Sequence, residues 1–456
     1  MSDKSDKRLL VMRDAPPFKA IVKMTTPVVA GMMVNILYNL TDTYFIGLLG
    51  DPYQLAAAGV AMPVFVAMMA LASLIGTGGA SLLSRCLGAG RDDMAEKTLA
   101  VCVGLTLVFG LLAAVFGLAF IDRVPSLLGA TEMSYTYTRQ YVSILIGGGI
   151  FTISNFALGQ LIRAEGSVMA SMAGMLMGLV LSIALTPLFI FPFGWGVAGA
   201  AAATVIGNAV SAIFFFTCYL RKRTVIRFSF RQISFNKEIL WAVFTIGIPT
   251  TLGQMLVSVS QMIANNIAGE HGDVALASLG VALRIMTIGT FTFMGFSAGC
   301  QPLMGYNYGE GNFKRLSRLI KTALLSSTIL GAAIALVLGI FAQPIANLFS
   351  PIEEVRALSA TVLRALIFSL PFMGGVTLCS TVFKAMGKPV HAFIIAVSRQ
   401  GLIYIPLLFL FTRLWGFEGM VHSQPVTDFI MIIASAVFLI RTVKTFEIKS
   451  QGALHI

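Results

Sequence analysis

GVAMPVFVAMMALASLIGTGGASLLSRCLGAG, residues Gly59–Gly90, is answered 221 positions later by GVALRIMTIGTFTFMGFSAGCQPLMGYNYGEG, residues Gly280–Gly311. Both stretches open on Gly-Val-Ala, run through apolar residues and close on spaced glycines, Gly88 and Gly90 falling on Gly309 and Gly311. The same offset carries IRAEG, ending at Gly166, onto FKAMG, ending at Gly387. Upstream, Pro27 meets Pro249 at an offset of 222, which one extra residue in the following loop explains. Any single match between apolar stretches is weak. Three in order at almost one offset mark an internal repeat covering most of the chain.

The repeat sits in a membrane composition. Of 456 residues, 57% are hydrophobic and only 11% charged, against about a quarter charged in an ordinary soluble protein. Apolar tracts recur with breaks at Gly, Pro or charge, each long enough at about 1.5 Å per residue to cross a hydrocarbon core of roughly 30 Å. Twelve spans result, at about 20–46, 55–84, 98–121, 138–162, 168–190, 195–220, 239–267, 274–305, 316–345, 357–384, 390–411 and 415–440. The fold class is an all-α polytopic membrane protein with twelve transmembrane helices in two six-helix lobes. The divisions are 1–19, an N-terminal segment; 20–220, the first lobe; 221–238, a linker; 239–440, the second lobe; and 441–456, a tail.

Charge orients these spans. The formal net charge is +12, and with both termini inside, 25 of the 32 Lys and Arg fall on the cytoplasmic side. That bias predicts cytoplasmic termini. Basic residues confined to short loops offer no folded basic surface for nucleic acid. The N-terminal twenty residues lack an apolar signal core, so the first span is expected to direct insertion. Six spans per copy return the chain to its starting side, and the copies should relate by an axis along the membrane normal.

No enzyme motif competes. There is no P-loop, the five cysteines show no C-x-x-C spacing, and the four histidines form no local metal motif. No cofactor or metal is expected. A channel, a receptor or a scaffold remains as a non-transport alternative.

Further motifs carry a resemblance. NLTDTYFIG at 39–47, CLGAGRDD at 86–93, NYGEGNFKR at 307–315, LIRAEGSVMASM at 161–172 and LTPLFIFPFGWGVAGAAAATVIGN at 185–208 resemble the multidrug and toxic compound extrusion (MATE) family. The type most similar is that of the MepA-like bacterial drug exporters. The resemblance covers about residues 16–440. It implies a V-shaped, two-lobed antiporter, working as a monomer among membrane lipids. Such an antiporter exchanges inward protons or sodium for outward movement of small amphipathic, cationic compounds by alternating access. Sodium coupling and flipping of a lipid-linked metabolite are the alternatives.

One departure touches mechanism. Where the family's fifth helix commonly carries Asn and then Asp before PLFIF, this chain has Ser182 and Thr186. Hydroxyls hydrogen-bond but carry no proton load near neutral pH.

Asp42, in the greasy surroundings of the first span, then becomes the leading ion-coupling candidate. A carboxylate in hydrocarbon needs a partner, water or a proton. An apolar site favours the protonated acid, and a cation brought close favours its ionisation. Tyr38, Asn39 and Asn35 precede Asp42 by four, three and seven residues, a stripe on roughly one helical side. Asn155 and Gln160 in the fourth span, Asn208 in the sixth, and Ser182 and Thr186 complete the expected first-lobe lining. Arg163, at a cytoplasmic helix end, is expected to snorkel.

In the second lobe, Ala264 stands opposite Asp42, so that acid is missing, while Gln254, Gln261 and Asn265 share a face. Asp428, the clear acid of the late membrane region, is a second ion-coupling candidate and the residue a sodium site would use. It is also the natural mate of Arg399 or Arg284 in a buried pair.

Overall fold

The computed structural model describes residues 9–221, 224–228, 236–349 and 352–452, with Asn39 and 443–452 described through their backbone alone. Much of the linker and parts of both terminal segments therefore lie outside the described residues. Every described element is helical.

In chain order α1 is Pro17–Gly47, α2 Pro52–Val60, α3 Met62–Gly88, α4 Asp92–Ala119, α5 Glu132–Gly147, α6 Gly149–Ala164, α7 Val168–Ile190 and α8 Gly196–Leu220. The second half follows as α9 Lys237–Glu270, α10 Asp273–Gly309, α11 Phe313–Ile340, α12 Glu353–Leu366, α13 Leu370–Ala385, α14 Pro389–Val397 and α15 Tyr404–Gly452.

Ten candidate spans are long and apolar enough to cross a membrane, and α5 with α6 make an eleventh, bent by 51°. One of the ten, Pro389–Thr442, breaks at Trp415 and Gly416, where Gly416 has φ 59°. Left-handed backbone there is cheap for glycine alone and ends one span before the next begins. The two pieces bring the described spans to twelve. The bend between α5 and α6 was not legible in sequence. It falls at Gly148, where a Cβ would run into the Val205 side chain, so the close approach of α8 requires glycine.

The described chain divides into two compact units, and the division exchanges the beginnings of two helices. Unit 1 takes Ala30–Ile248 with the described residues up to Arg13; unit 2 takes Asp14–Val29 and the described residues from Pro249 onward. Thus α1 starts in unit 2 and ends in unit 1, and α9 does the reverse. Repeat-related glycines accept the visiting segments. A Cβ on Gly78 would collide with the Val243 carbonyl within unit 1, and one on Gly299 would lie 2.6 Å from Thr25 Cα within unit 2. Small residues that let backbones meet are how membrane helices gain packing without a hydrophobic drive between them.

Each unit has its own core. Met68, Ala72, Val142, Leu145, Ile153 and Ala201 belong to one; Ala268, Ile285, Phe293, Leu363, Leu370 and Leu408 to the other. In unit 1, α7 and α8 cross at Gly178 and Gly207, where a Cβ on either would come within 2.6 Å of the other's carbonyl oxygen. The crossing sets Ser182 of α7 near Thr204 and Asn208 of α8. Past α6, the fully buried Glu165 accepts from the Val225 and Ile226 amides at 3.0 and 3.4 Å, seating that piece of the linker on unit 1.

Candidate functional site

Unit 1 encloses a small cavity at the end of α1. Tyr38 and Asp42 line it from α1, Ala58 and Ala61 from α2 and its end, Met62 and Phe65 from α3, Tyr141 and Leu145 from α5, and Thr204 from α8. Its volume open to water-sized molecules is about 50 Å³, room for a few waters at roughly 10–15 Å³ each. Oδ1 of Asp42 is buried and has no hydrogen-bond partner among the described residues. A polar atom in that condition is unstable unless it holds a proton, a water or a ligand group.

The α1 stripe is partly assembled there. The Tyr38 hydroxyl lies 2.6 Å from Thr204 Oγ1, either oxygen being able to donate. Asn35 is half-buried on the same helix, and the Asn39 side chain lies outside the described residues. Ser182, 3% exposed, sits beside the Tyr38 hydroxyl. Thr186 is also buried, but its hydroxyl donates to the Ser182 carbonyl at 2.9 Å. Neither residue lines the cavity wall; Thr186 is spent on its own helix.

Three further polar contacts lie on α6. Asn155 Nδ2 donates to Asn208 Oδ1 at 2.8 Å, and Asn208 Nδ2 donates to Thr152 Oγ1 at 3.2 Å. Gln160 Oε1 accepts from Thr77 Oγ1 of α3 at 3.0 Å. Asn155 and Gln160 therefore join different helices, as their spacing of five allows. Arg163 does not snorkel freely: its Nη1 donates to Ser171 Oγ at 3.0 Å, which itself donates to the Gly159 carbonyl. The turn between α6 and α7 brings that hydroxyl within reach.

Sequence reading missed Tyr141 and Thr204. Thr204 lies four residues before Asn208, on one face of α8, which was the available signal. Tyr141 reaches the cavity from α5, and no local pattern announces that.

Unit 2 offers no equivalent carboxylate. Ala264 of α9 is buried, 5% exposed, in the apolar core. Gln254 is half-buried, whereas Gln261 and Asn265 are exposed. Arg284 is exposed, and Asp428 pairs with Arg399. Arg399 Nε is 2.6 Å from Asp428 Oδ1 and Nη2 is 3.3 Å from Oδ2, while Gln424 Nε2 donates to Oδ2 at 3.2 Å. Both carboxylate oxygens are satisfied, and Asp428 is fully buried.

Two helical repeats that exchange their opening segments, one holding a carboxylate in a mostly apolar cavity, define a class of membrane transporter rather than an enzyme. The MatE family model matches the chain twice, over residues 27–188 and 249–410. The chain belongs to this family. The Staphylococcus haemolyticus multidrug export protein MepA is 31% identical over 423 residues, covering 93% of each chain. Its Staphylococcus aureus (strain MSSA476) counterpart is 30% identical over 448 residues, 97% of this chain and 99% of that one. A solved outward-facing conformation of a multidrug resistance MATE family transporter superposes with a TM-score of 0.92 at 26% identity, covering 97% of this chain and 99% of that one.

Proposed function

We propose that the protein is a secondary active multidrug exporter that exchanges protons for small amphipathic organic cations by alternating access. It works as a monomer in a bacterial plasma membrane with both termini cytoplasmic. The observation that carries this reading is the buried, unpartnered Oδ1 of Asp42 in a cavity otherwise walled by Tyr38, Met62, Phe65, Tyr141 and small apolar residues. Aromatic and methionine walls attract cations and adapt to varied shapes. A carboxylate in such a wall binds a proton or a cation, and the two compete for one charge. Protonation on the outer side releases the cargo, and cargo arriving from the inner side releases the proton.

With Ser182 and Thr186 in place of Asn and Asp, Asp42 carries this exchange more nearly alone, the alternative being a coupling unlike that of the relatives. Protons are favoured over sodium because a sodium ion prefers several oxygen donors, whereas Asp42 has one unpartnered oxygen and Asp428 already accepts from Arg399 and Gln424. The family membership and the names of the relatives support drug export over a lipid flippase or a receptor.

The test uses purified protein in vesicles loaded with a fluorescent lipophilic cation, with proton and sodium gradients imposed separately. Efflux driven by the proton gradient is expected. Efflux driven by sodium and indifferent to the pH gradient reverses the choice of ion, and ATP-dependent efflux under neither gradient overturns the reading.

A further inference from the structure

The fifth span of unit 2 departs from the α-helix over Ser398–Leu402, a single π turn between α14 and α15. The Ile403 amide donates to the Ser398 carbonyl at 2.9 Å, the five-residue bond that defines such a turn. A wider turn displaces carbonyls from the regular ladder, and each displaced group needs a new donor. For Gln400 the donor within reach is Ser260 Oγ of α9, at 2.6 Å, whose one proton is shared with the Leu256 carbonyl of its own helix, also at 2.6 Å.

The preceding residue, Arg399, meets the sixth span through its paired contacts with Asp428, which Gln424 supports from the same helix. One irregular turn therefore joins the first, fifth and sixth spans of unit 2. The charges are well removed from water, with the Asp428 side chain 0% and the Arg399 side chain 15% exposed. Pulling them apart would leave an unpaired charge inside the bundle, the costliest state such a pair can enter.

The corresponding part of unit 1 is fastened differently. At the offset of 222, Ser260 stands where Tyr38 does and Ala264 where Asp42 does. Among the described residues no ion pair joins α1 there; the Tyr38 hydroxyl meets Thr204 Oγ1, and α7 is α-helical from Val168 to Ile190. We propose that the π turn Ser398–Leu402 is a clasp that stays closed through the transport cycle, binding the Gly253–Ser260 part of α9 to its bundle. Asp428 is then a fastening residue with no share in ion exchange. The proposal rests on the transport reading for the word cycle, and on the unit 2 contacts for the clasp.

A Cβ built on Gly253 lies 3.1 Å from Ala396 Cβ, close to the ~3.5–4.5 Å separation that disulfides use. Gly253→Cys with Ala396→Cys therefore ties α9 to α14 just before the π turn, by a bond that oxidation makes and reduction breaks. In vesicles the oxidised variant should move the fluorescent lipophilic cation within about twofold of the reduced one. Transport that stops on oxidation and returns on reduction overturns the clasp.

Hydrogen exchange on the full-length parent supplies a second reading that needs no substitution. The Ile403 amide should exchange equally slowly with and without the cation, and acceleration of about tenfold or more on adding it defeats the proposal. In Asp428→Asn the same amide should accelerate by about tenfold or more, and an unchanged rate also defeats it. Restored transport in Arg399→Gln with Asp428→Asn separates fastening from ion carriage, because an ion site would stay lost. If the parent itself moves no cation, the transport reading falls, while exchange at Ile403 still judges the clasp.

Discussion

Unit 1 carries Asp42 and unit 2 carries Asp428, each an acid within an apolar span, and the two carboxylates live in opposite conditions. Asp42 has an oxygen enclosed and unpartnered beside a cavity; Asp428 has both oxygens taken by Arg399 and Gln424. A duplicated frame has thus kept one charge available and neutralised the other. Net charge and hydropathy cannot distinguish the two, because each is one acid in an apolar helix. What separates them is whether a neighbouring span delivers a partner. In unit 2 the π turn presents Arg399 to α15; the cavity wall in unit 1 delivers hydroxyls, a thioether and rings.

Removing the available charge should have the largest effect on function. Asp42→Asn keeps size and polarity, so insertion and abundance should hold while pH-gradient-driven efflux falls to background. Cargo binding should release protons from the parent and none from the variant. Unchanged efflux with unchanged proton release would erase the contrast between the units. Loss of efflux without loss of proton release would make Asp42 a cargo contact only.

Breaking the neutralised pair from one side should act on stability. Arg399→Met leaves Asp428 buried without its counter-charge and should cost about 3–5 kcal/mol. Thermal unfolding in detergent would measure it. The double change Arg399→Met with Asp428→Leu should recover much of the loss, since apolar replacements of similar volume often match a buried pair. Failure to recover would mean that the π turn depends on the charges themselves.

Giving unit 2 the missing acid sharpens the comparison further. Ala264→Asp sets a carboxylate into the core position that Ile267, Ala268 and Met420 share, at a cost of roughly 2.5–3.5 kcal/mol on membrane-insertion scales. Lower yield and lower thermal stability should follow, with the proton stoichiometry of transport unchanged. A rise in protons moved per cation would mean that either half can host the exchange.

Smaller effects should be symmetrical. Gly78→Val and Gly299→Val each force a side chain into a visiting helix backbone, and each should destabilise by about 1–3 kcal/mol as overpacked sites do. Unequal losses would show that one crossing holds its helix more tightly.

The smallest predicted effect lies at the loop before α2. Asp51 Oδ2 accepts from Gln54 Nε2 at 3.1 Å and Oδ1 from the Tyr53 amide at 2.9 Å, which hold its carboxyl below the ordinary carboxylate range. A depressed folded value contributes stability above the unfolded value of about 3.9 and loses it as pH falls through the lower, folded one. Asp51→Asn should flatten that acid-side slope slightly in a melting series, most visibly below about pH 4. The same change loosens Gln54, whose Oε1 accepts from the Val197 amide at 2.8 Å at the start of α8.

Much of this was legible in the chain. Composition and spacing fixed an all-helical membrane protein of twelve spans, because hydrocarbon allows an isolated chain few other ways to satisfy its backbone. The repeat was legible because both copies face the same medium and reuse the same glycine turns and crossings. Asp42 stood out because a carboxylate in an apolar run needs a partner, water or a proton. Ala264 opposite it was readable from the offset alone. Three matters waited for tertiary structure. Local sequence does not say that α1 and α9 exchange units, since Gly78 and Gly299 look like any small residues until a backbone lies against them. The 51° bend falls at Gly148, where Val205 of another helix leaves no room for a Cβ. And Asp428 and Asp42 part ways only when side chains 29 residues apart, Arg399 and Asp428, meet across helices. A carboxylate's chemistry is set by what lies within a few ångströms, and only the folded chain decides that.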